Sequence, residues 1–136
     1  MTVLPQADFD FSAGMVVRDR PSLTWQKDPA TLRLRGRCDN YEAVRQAVEA
    51  IVNVERFRWQ IYSPNFGMEL DGLLGAEPGY AASELRRRLS DAFLPDSRIL
   101  GIADFSYTFQ DSVLTASVTV STVFGPVKTA VEVPLV

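Results

Sequence analysis

The sequence contains no histidine and only one cysteine, Cys38, among its 136 residues. Without histidine there is no Ser-His or Cys-His nucleophile pair, and the most common transition-metal ligand is missing. A single cysteine excludes an intrachain disulfide and a cysteine-rich structural zinc site. Any catalysis would therefore rest on carboxylates, lysine or tyrosine, and the sequence predicts neither a metal nor a cofactor.

Long basic runs and long apolar runs are missing as well. The formal net charge is -3, and no cluster of Lys and Arg is long enough to attract a phosphate backbone. Residues 1–11 lack the basic start and continuous apolar stretch of a secretory signal, and no segment approaches the ~20 apolar residues that span a bilayer. We therefore expect no nucleic-acid partner, no membrane partner, and a protein that stays in the cytoplasm where it is made.

The overall composition fits one globular domain, because hydrophobic residues make up 46% of the sequence. Residues 1–22 are interrupted by proline and glycine and keep neither a helical nor a strand period for long. We predict an extended N-terminal arm over residues 1–22 and a single domain over residues 23–136.

Alternation of apolar and polar residues predicts several strands. Two short runs, at 23–27 and 31–35, flank turn residues and predict a hairpin. A third alternating run, 57–61, predicts an isolated strand, and residues 99–136 predict a three-stranded antiparallel meander. The hairpin side chains expected to face the core are Leu23, Trp25, Leu32 and Leu34.

The first helix is predicted to begin after Asp39. An aspartate is a favourable N-cap, and Glu42, three residues on, would complete a capping box by reaching back to the N–H of the cap. Apolar residues then recur at helical spacing and predict one buried stripe. The stripe comprises Tyr41, Val44, Ala47, Val48, Ile51 and Val54.

A second helix is predicted over residues 81–93, followed closely by Pro95. Its buried stripe comprises Leu85, Leu89, Ala92 and Phe93. Residues 86–88 are three arginines that lie largely outside this stripe, where they form either a solvated face or a docking surface for an acidic partner. The elements together predict an α+β fold with two main helices packed on a mainly antiparallel sheet, preceded by the arm and the hairpin.

One ordered set of residues carries a resemblance to a known family. The pair Glu55-Arg56 follows the first helix, and the segment Ser63-Pro64-Asn65-Phe66-Gly67-Met68-Glu69-Leu70 comes shortly after it. This order resembles the XkdS-like proteins of contractile phage tails, within the baseplate wedge or sheath-initiator family, which is also called tail-lysozyme-like. The likeness covers about residues 41–133. It departs from the broader family pattern at Val54, where a glycine is common, and in the length of chain between Arg56 and Pro64.

The resemblance implies a structural subunit without enzymatic activity. It implies a baseplate component in multiple copies around a sixfold axis, on which the first ring of tail sheath polymerises. The implied partners are other baseplate wedge proteins and the tail sheath, with the tail tube as a further candidate. The implied location is the bacterial host cytoplasm during assembly, and then the baseplate of a virion or tail-like particle.

The same motif supplies the candidate residues for partner contacts. These are Glu55, Arg56, Pro64, Phe66, Gly67 and Leu70. Each also has an ordinary structural interpretation. The Glu55-Arg56 pair would otherwise be a surface ion pair, Gly67 a residue that permits positive φ, and Phe66 and Leu70 members of the core.

The last strand supplies a second candidate site. Residues 127–135 alternate as a half-buried strand should, and Pro134 near their end is tolerated on an edge strand. In contractile tails of this type, sheath subunits join by exchanging strands, so the resemblance implies that an arm of the sheath pairs with this edge. Thr129 and Val131 are the candidate positions, provided that their N–H groups face outward.

Two other functions stay open at this point. A glycosidase needs two carboxyls about 5 to 9 Å apart, one with a raised pKa. Only Glu55, Glu69 and Asp71 are grouped closely enough to be considered, and nothing in their spacing shows that they converge. The other alternative is a generic binding or assembly-chaperone module that shares the α+β layout, since a fold does not fix a function.

Overall fold

The structure, a computed structural model, describes residues 21–136. Their element order is β1 (Thr24–Lys27), β2 (Leu34–Cys38), α1 (Asn40–Asn53), a short 3-10 turn (Asp71–Leu73), α2 (Pro78–Phe93), β3 (Ile99–Gln110), β4 (Val113–Thr122) and β5 (Gly125–Pro134). Among these residues the strands form a two-stranded and a three-stranded sheet, both antiparallel. The predicted α+β fold with a C-terminal meander is confirmed. Most of the predicted arm lies outside the described residues.

The first helix begins as predicted. The Asp39 carboxylate accepts a hydrogen bond from the Asn40 N–H at 2.7 Å. The capping box is wrong, because the Glu42 carboxylate instead pairs with Arg45 at 3.0 Å on the exposed side of the helix. The buried residues of α1 are Ala43, Val44, Val48, Ile51 and Val52.

The second helix begins at Pro78, three residues before the predicted start. The Glu77 carboxylate caps it by accepting hydrogen bonds from the N–H groups of Gly79 (3.1 Å) and Tyr80 (3.0 Å). Proline is favourable at the first position of a helix, because its missing N–H would have no partner there. The predicted stripe of Leu85, Leu89, Ala92 and Phe93 is buried, together with Ala81 and Ala82.

The hairpin of β1 and β2 forms, but its predicted contribution to the core is wrong. All four side chains expected in the core are exposed: Leu23, Trp25, Leu32 and Leu34. The hairpin is a separate sheet, and two hydrogen bonds join it to α1. The Gln46 amide donates to the Trp25 carbonyl at 2.8 Å and accepts from the Lys27 N–H at 2.9 Å.

The three-stranded sheet has the order β3-β4-β5, so β4 is central and β5 is an edge strand. Asp111 and Ser112 join β3 to β4, and both have positive φ (52° and 64°), as a two-residue type I′ turn requires. The helices cover the sheet face that carries the buried side chains Leu114, Ala116, Val118, Val120, Val127, Val131 and Val133. On β4 and β5 the opposite face carries serine, threonine, alanine and charged side chains, together with Val113, Pro126 and Pro134.

The strand predicted over residues 57–61 is wrong. This stretch consists of turns, with the Arg58 N–H donating to the Glu55 carbonyl and the Tyr62 N–H to the Trp59 carbonyl. Phe57 has a φ of 68°, which takes the chain out of the extended conformation. The alternation of apolar residues here does not come from a sheet.

Candidate functional site

The motif of the sequence forms the base of a loop that leaves the end of α1. The Arg56 N–H donates to the Met68 carbonyl at 2.9 Å, and the Met68 N–H donates to the Val54 carbonyl at 2.9 Å. Glu55 and Met68 form an isolated parallel bridge. We call Glu55, Arg56, Gly67 and Met68 the neck of this loop, because these residues bring its two ends together.

Gly67 permits the close approach of the two neck segments. Its φ is +101°, and an added Cβ would lie 2.5 Å from the Val54 carbonyl oxygen and 3.2 Å from the Arg56 nitrogen. No Cβ is tolerated at 2.5 Å without movement of the backbone. Glycine is therefore required here for space as well as for conformation.

Glu55 and Arg56 bond to different partners rather than to each other. The Glu55 carboxylate accepts a hydrogen bond from the Leu70 N–H at 3.1 Å. The Arg56 Nε donates to the Pro64 carbonyl at 2.7 Å, and its guanidinium lies 3.6 Å from a Glu69 carboxylate oxygen. Both side chains thus fix the backbone of the returning segment.

Phe66 and Leu70 are partly buried and pack against the core. The ring of Phe66 also stacks on that of Tyr62, with centroids 4.7 Å apart and planes 12° from parallel. The motif therefore joins the loop firmly to the domain, and most of its side-chain contacts are internal.

The far end of the loop carries large apolar side chains in solvent. We call residues 57–62 the tip. Phe57 is 66%, Trp59 57% and Ile61 86% exposed, and Tyr62 is exposed as well. The motif residues predicted as partner contacts support this exposed surface. The sequence did not reveal the surface, because its alternation predicts a strand.

The outer edge of β5 is the second candidate site. Among residues 21–136 no strand pairs with it, and the Tyr41 hydroxyl donates to the Pro126 carbonyl near its start at 3.1 Å. Its register with β4 is uninterrupted from Pro134, opposite Val113, to Gly125, opposite Thr122. One residue beyond, the Leu135 N–H donates to the Ser112 carbonyl at 2.9 Å. Hydrogen-bonded pairs alternate along an antiparallel ladder, so the odd-numbered residues of β5 direct their N–H groups toward β4.

This alternation decides which backbone groups of β5 face outward. Thr129 and Val131 direct their N–H groups inward, toward β4. The condition that the N–H groups of these two candidates face outward is therefore not met. The outward residues are Lys128, Ala130 and Glu132, flanked by Pro126 and Pro134. Both prolines occupy outward positions, where the sheet itself needs no donor.

The chain has clear relatives. Residues 9–125 match the family model of the contractile injection system sheath initiator. The chain belongs to the sheath initiator family. It is also 33% identical over 84 residues to the phage-like element PBSX protein XkdS of Bacillus subtilis, and the match covers 60% of each chain. The resemblance inferred from the motif is therefore confirmed.

Membership of the sheath initiator family makes the chain a structural component of a contractile, tail-type injection machine. The family match includes the neck, the tip, both helices and β3 to β4, and it ends at Gly125, where β5 begins. The neck and tip are thus features of the part of the chain that defines its membership.

The three carboxylates considered for a hydrolase lie in different surroundings. Glu55 accepts from the Leu70 N–H, Glu69 lies beside Arg56, and Asp71 begins the 3-10 turn. Within residues 21–136 no group of acidic, histidine or cysteine side chains is arranged to hold a metal ion. In the same range, no helix is long and apolar enough to cross a membrane.

The three arginines of α2 do not share one role. Arg86 and Arg87 are exposed, as predicted, whereas Arg88 is largely covered and donates to the Glu69 carbonyl at 2.7 Å. The Glu84 carboxylate accepts hydrogen bonds from both Arg87 and Arg88. Arg88 therefore ties α2 to Glu69, the residue that follows the neck, and spacing along the helix does not reveal this role.

Glu84 makes this connection sensitive to acid. Hydrogen bonds from Arg87, and then from Arg88, lower the pKa of the Glu84 carboxyl from 4.5 to about 2. A lowered pKa in the folded state stabilises the fold above the pKa of the unfolded chain, and this contribution is lost as the pH falls. We expect the thermal midpoint of the wild type to fall more steeply than that of Glu84→Gln between pH 4.5 and about 2. Parallel slopes in thermal melts across this window would contradict the assignment.

Proposed function

We propose that this chain is a non-enzymatic baseplate subunit that starts the tail sheath, by offering the free edge of β5 to an extended arm of the first sheath subunits. The observation that carries the proposal is the unbroken edge strand with three outward N–H groups, at Lys128, Ala130 and Glu132. An extended arm adds to such an edge by main-chain hydrogen bonds, the mode known as β-augmentation.

The other edge of the same sheet is less suited to this role. The pairing of β3 with β4 shifts register between Ile99 and Gly101 and again between Ala103 and Ser106. Asp104, within the second irregularity, has a φ of 53°. Bulges of this kind twist an edge away from a regular partner, whereas β5 has none in its register.

The charges on β5 support a specific partner over random pairing. Lys128 and Glu132 stand on either side of Ala130 on the exposed sheet face. Charged residues on an edge strand discourage unspecific pairing, and the small Ala130 leaves room at the centre. An arm with complementary charges at these positions would pair in one register.

The remaining parts of the proposal concern assembly. We propose that the loop of residues 55–70 faces the baseplate wedge, and that the subunit occurs in multiple copies around the sixfold axis. The sheath and wedge proteins are the main partners, and the tube is a further one. Assembly would occur in the bacterial cytoplasm, and the mature protein would remain in the baseplate of the virion or tail-like particle.

Removing the gene from a host that produces the particles tests this function. We expect tubes and baseplates without sheath, and a return of sheathed particles when the wild-type gene is supplied from a plasmid. Electron microscopy of purified particles gives the sheathed fraction. Sheaths of normal length and number in the deletion strain would contradict the proposal.

A further inference from the structure

The tip is an apolar surface that stays exposed to solvent in the folded protein, which costs free energy. Four of its six side chains are large and apolar, and all four are exposed: Phe57, Trp59, Ile61 and Tyr62. Single exposed apolar residues are ordinary, but a contiguous group on one loop marks an interaction surface.

The loop holds the tip in one conformation. Hydrogen-bonded turns follow one another at Glu55–Arg58, Trp59–Tyr62 and Ser63–Phe66. The guanidinium of Arg56 lies 4.6 Å from the centroid of the Phe57 ring. Phe57 itself has a φ of 68°, a strained conformation for a bulky residue that persists only where its surroundings impose it.

The charge of the tip indicates which kind of partner surface would complement it. Arg58 is the only charged residue of the tip, and no acidic residue occurs between Arg56 and Glu69. Among the described residues Arg58 has no carboxylate within ion-pair distance, whereas Arg56 has Glu69. The tip is thus apolar and cationic on a chain whose formal net charge is -3.

We propose that the tip inserts into an apolar cleft edged by carboxylates on a neighbouring protein of the assembled machine. Aromatic side chains anchor the contact in the cleft, and Arg58 pairs with its acidic edge. The neck acts as the support that presents the tip in a fixed orientation, which lowers the entropy lost on binding. This inference rests on the proposed function, because it takes the partner to be another component of the baseplate.

Incorporation into particles measures the contact directly. In the deletion strain, we would supply Trp59→Ser, Ile61→Ser or Arg58→Glu and quantify this chain in purified baseplates by mass spectrometry. Loss of an apolar anchor or reversal of the charge is expected to reduce incorporation on the order of tenfold. The matched controls are Leu94→Ser, an exposed apolar residue at the end of α2, and Arg86→Glu, an exposed cation on α2. Both controls should be incorporated normally.

Phe57→Gly separates docking from folding. Glycine adopts positive φ without strain, so this variant should be at least as stable as the wild type in thermal melts. It should nevertheless be incorporated poorly, because the anchoring ring is gone. Normal incorporation of Phe57→Gly together with Trp59→Ser would overturn the proposal.

Other binding partners of the tip would give different results. Flotation of purified protein with anionic phosphatidylglycerol vesicles, abolished by Trp59→Ser, would overturn the proposal in favour of a lipid surface. Self-association in sedimentation, abolished by the same change, would overturn it in favour of a second copy.

The docking of the tip and the proposed function can be contradicted independently of each other. Tip variants that are incorporated and start sheaths normally contradict only the docking, whereas sheaths in the deletion strain contradict the proposed function.

Discussion

Replacing Gly67 by alanine is expected to lower the free energy of unfolding by about 3 kcal/mol or more. The new Cβ would lie 2.5 Å from the Val54 carbonyl oxygen, so the neck must open, and the φ of +101° adds strain. Opening the neck also threatens the bonds that Met68 and Arg56 make across it. Urea unfolding of the purified variant at constant m-value measures the loss.

Gly75 provides the matched control for Gly67. Its φ is +78°, but an added Cβ would meet nothing within 4 Å. Gly75→Ala should therefore show the cost of conformation alone, about 1 kcal/mol. Equal losses for the two variants would mean that conformation, and not the close approach to Val54, makes Gly67 necessary.

The sequence predicted the helices and the meander well, because their signals are local. Both helices have apolar residues at helical spacing, and α1 also has Asp39 as its cap. The meander has long alternating runs separated by tight turns. The predicted start of α2 is three residues late, although Glu77 followed by Pro78 is a recognised start signal.

The failures concern interactions that local patterns do not specify. Alternation shows that the hairpin has two faces, but it does not show whether any element covers either of them, and Trp25 is exposed. The run 57–61 alternates in sequence but forms turns, and its apolar side chains are exposed. The bonds that shape it join Arg56 to Pro64 and Glu55 to Leu70, which are too far apart in the chain to produce a short period.

The partner contacts of the candidate site residues stay predictions. The motif led correctly to the family, but it did not indicate that the neck presents a tip or that Arg88 supports it. The direction of the β5 donors depends on the position of the loop before this strand, which the structure places at 123–124. A two-residue loop at 123–124 makes Thr122 and Gly125 a hydrogen-bonded pair, and alternation then directs the Ala130 N–H outward.

Ala130→Pro should abolish sheath formation while the subunit still folds and enters baseplates. Proline removes the central outward N–H of β5 and places its ring where an added strand would lie. The sheet itself loses no hydrogen bond, because this donor points away from β4, and we expect a stability loss of about 1 kcal/mol or less. In the deletion strain, the fraction of sheathed particles should fall at least on the order of tenfold, as counted by electron microscopy.

Two further variants show whether the lost donor is the cause. Ala130→Val keeps the N–H and suits an extended strand, so it should start sheaths as the wild type does. Val131→Pro removes an inward N–H from the ladder with β4, and it should lower the free energy of unfolding by a few kcal/mol. Its effect on sheaths would then follow from unfolding, with little of the variant found in baseplates. If Ala130→Pro baseplates carry normal sheaths, or if Ala130→Val fails as badly as Ala130→Pro, the free edge of β5 is not where the sheath begins.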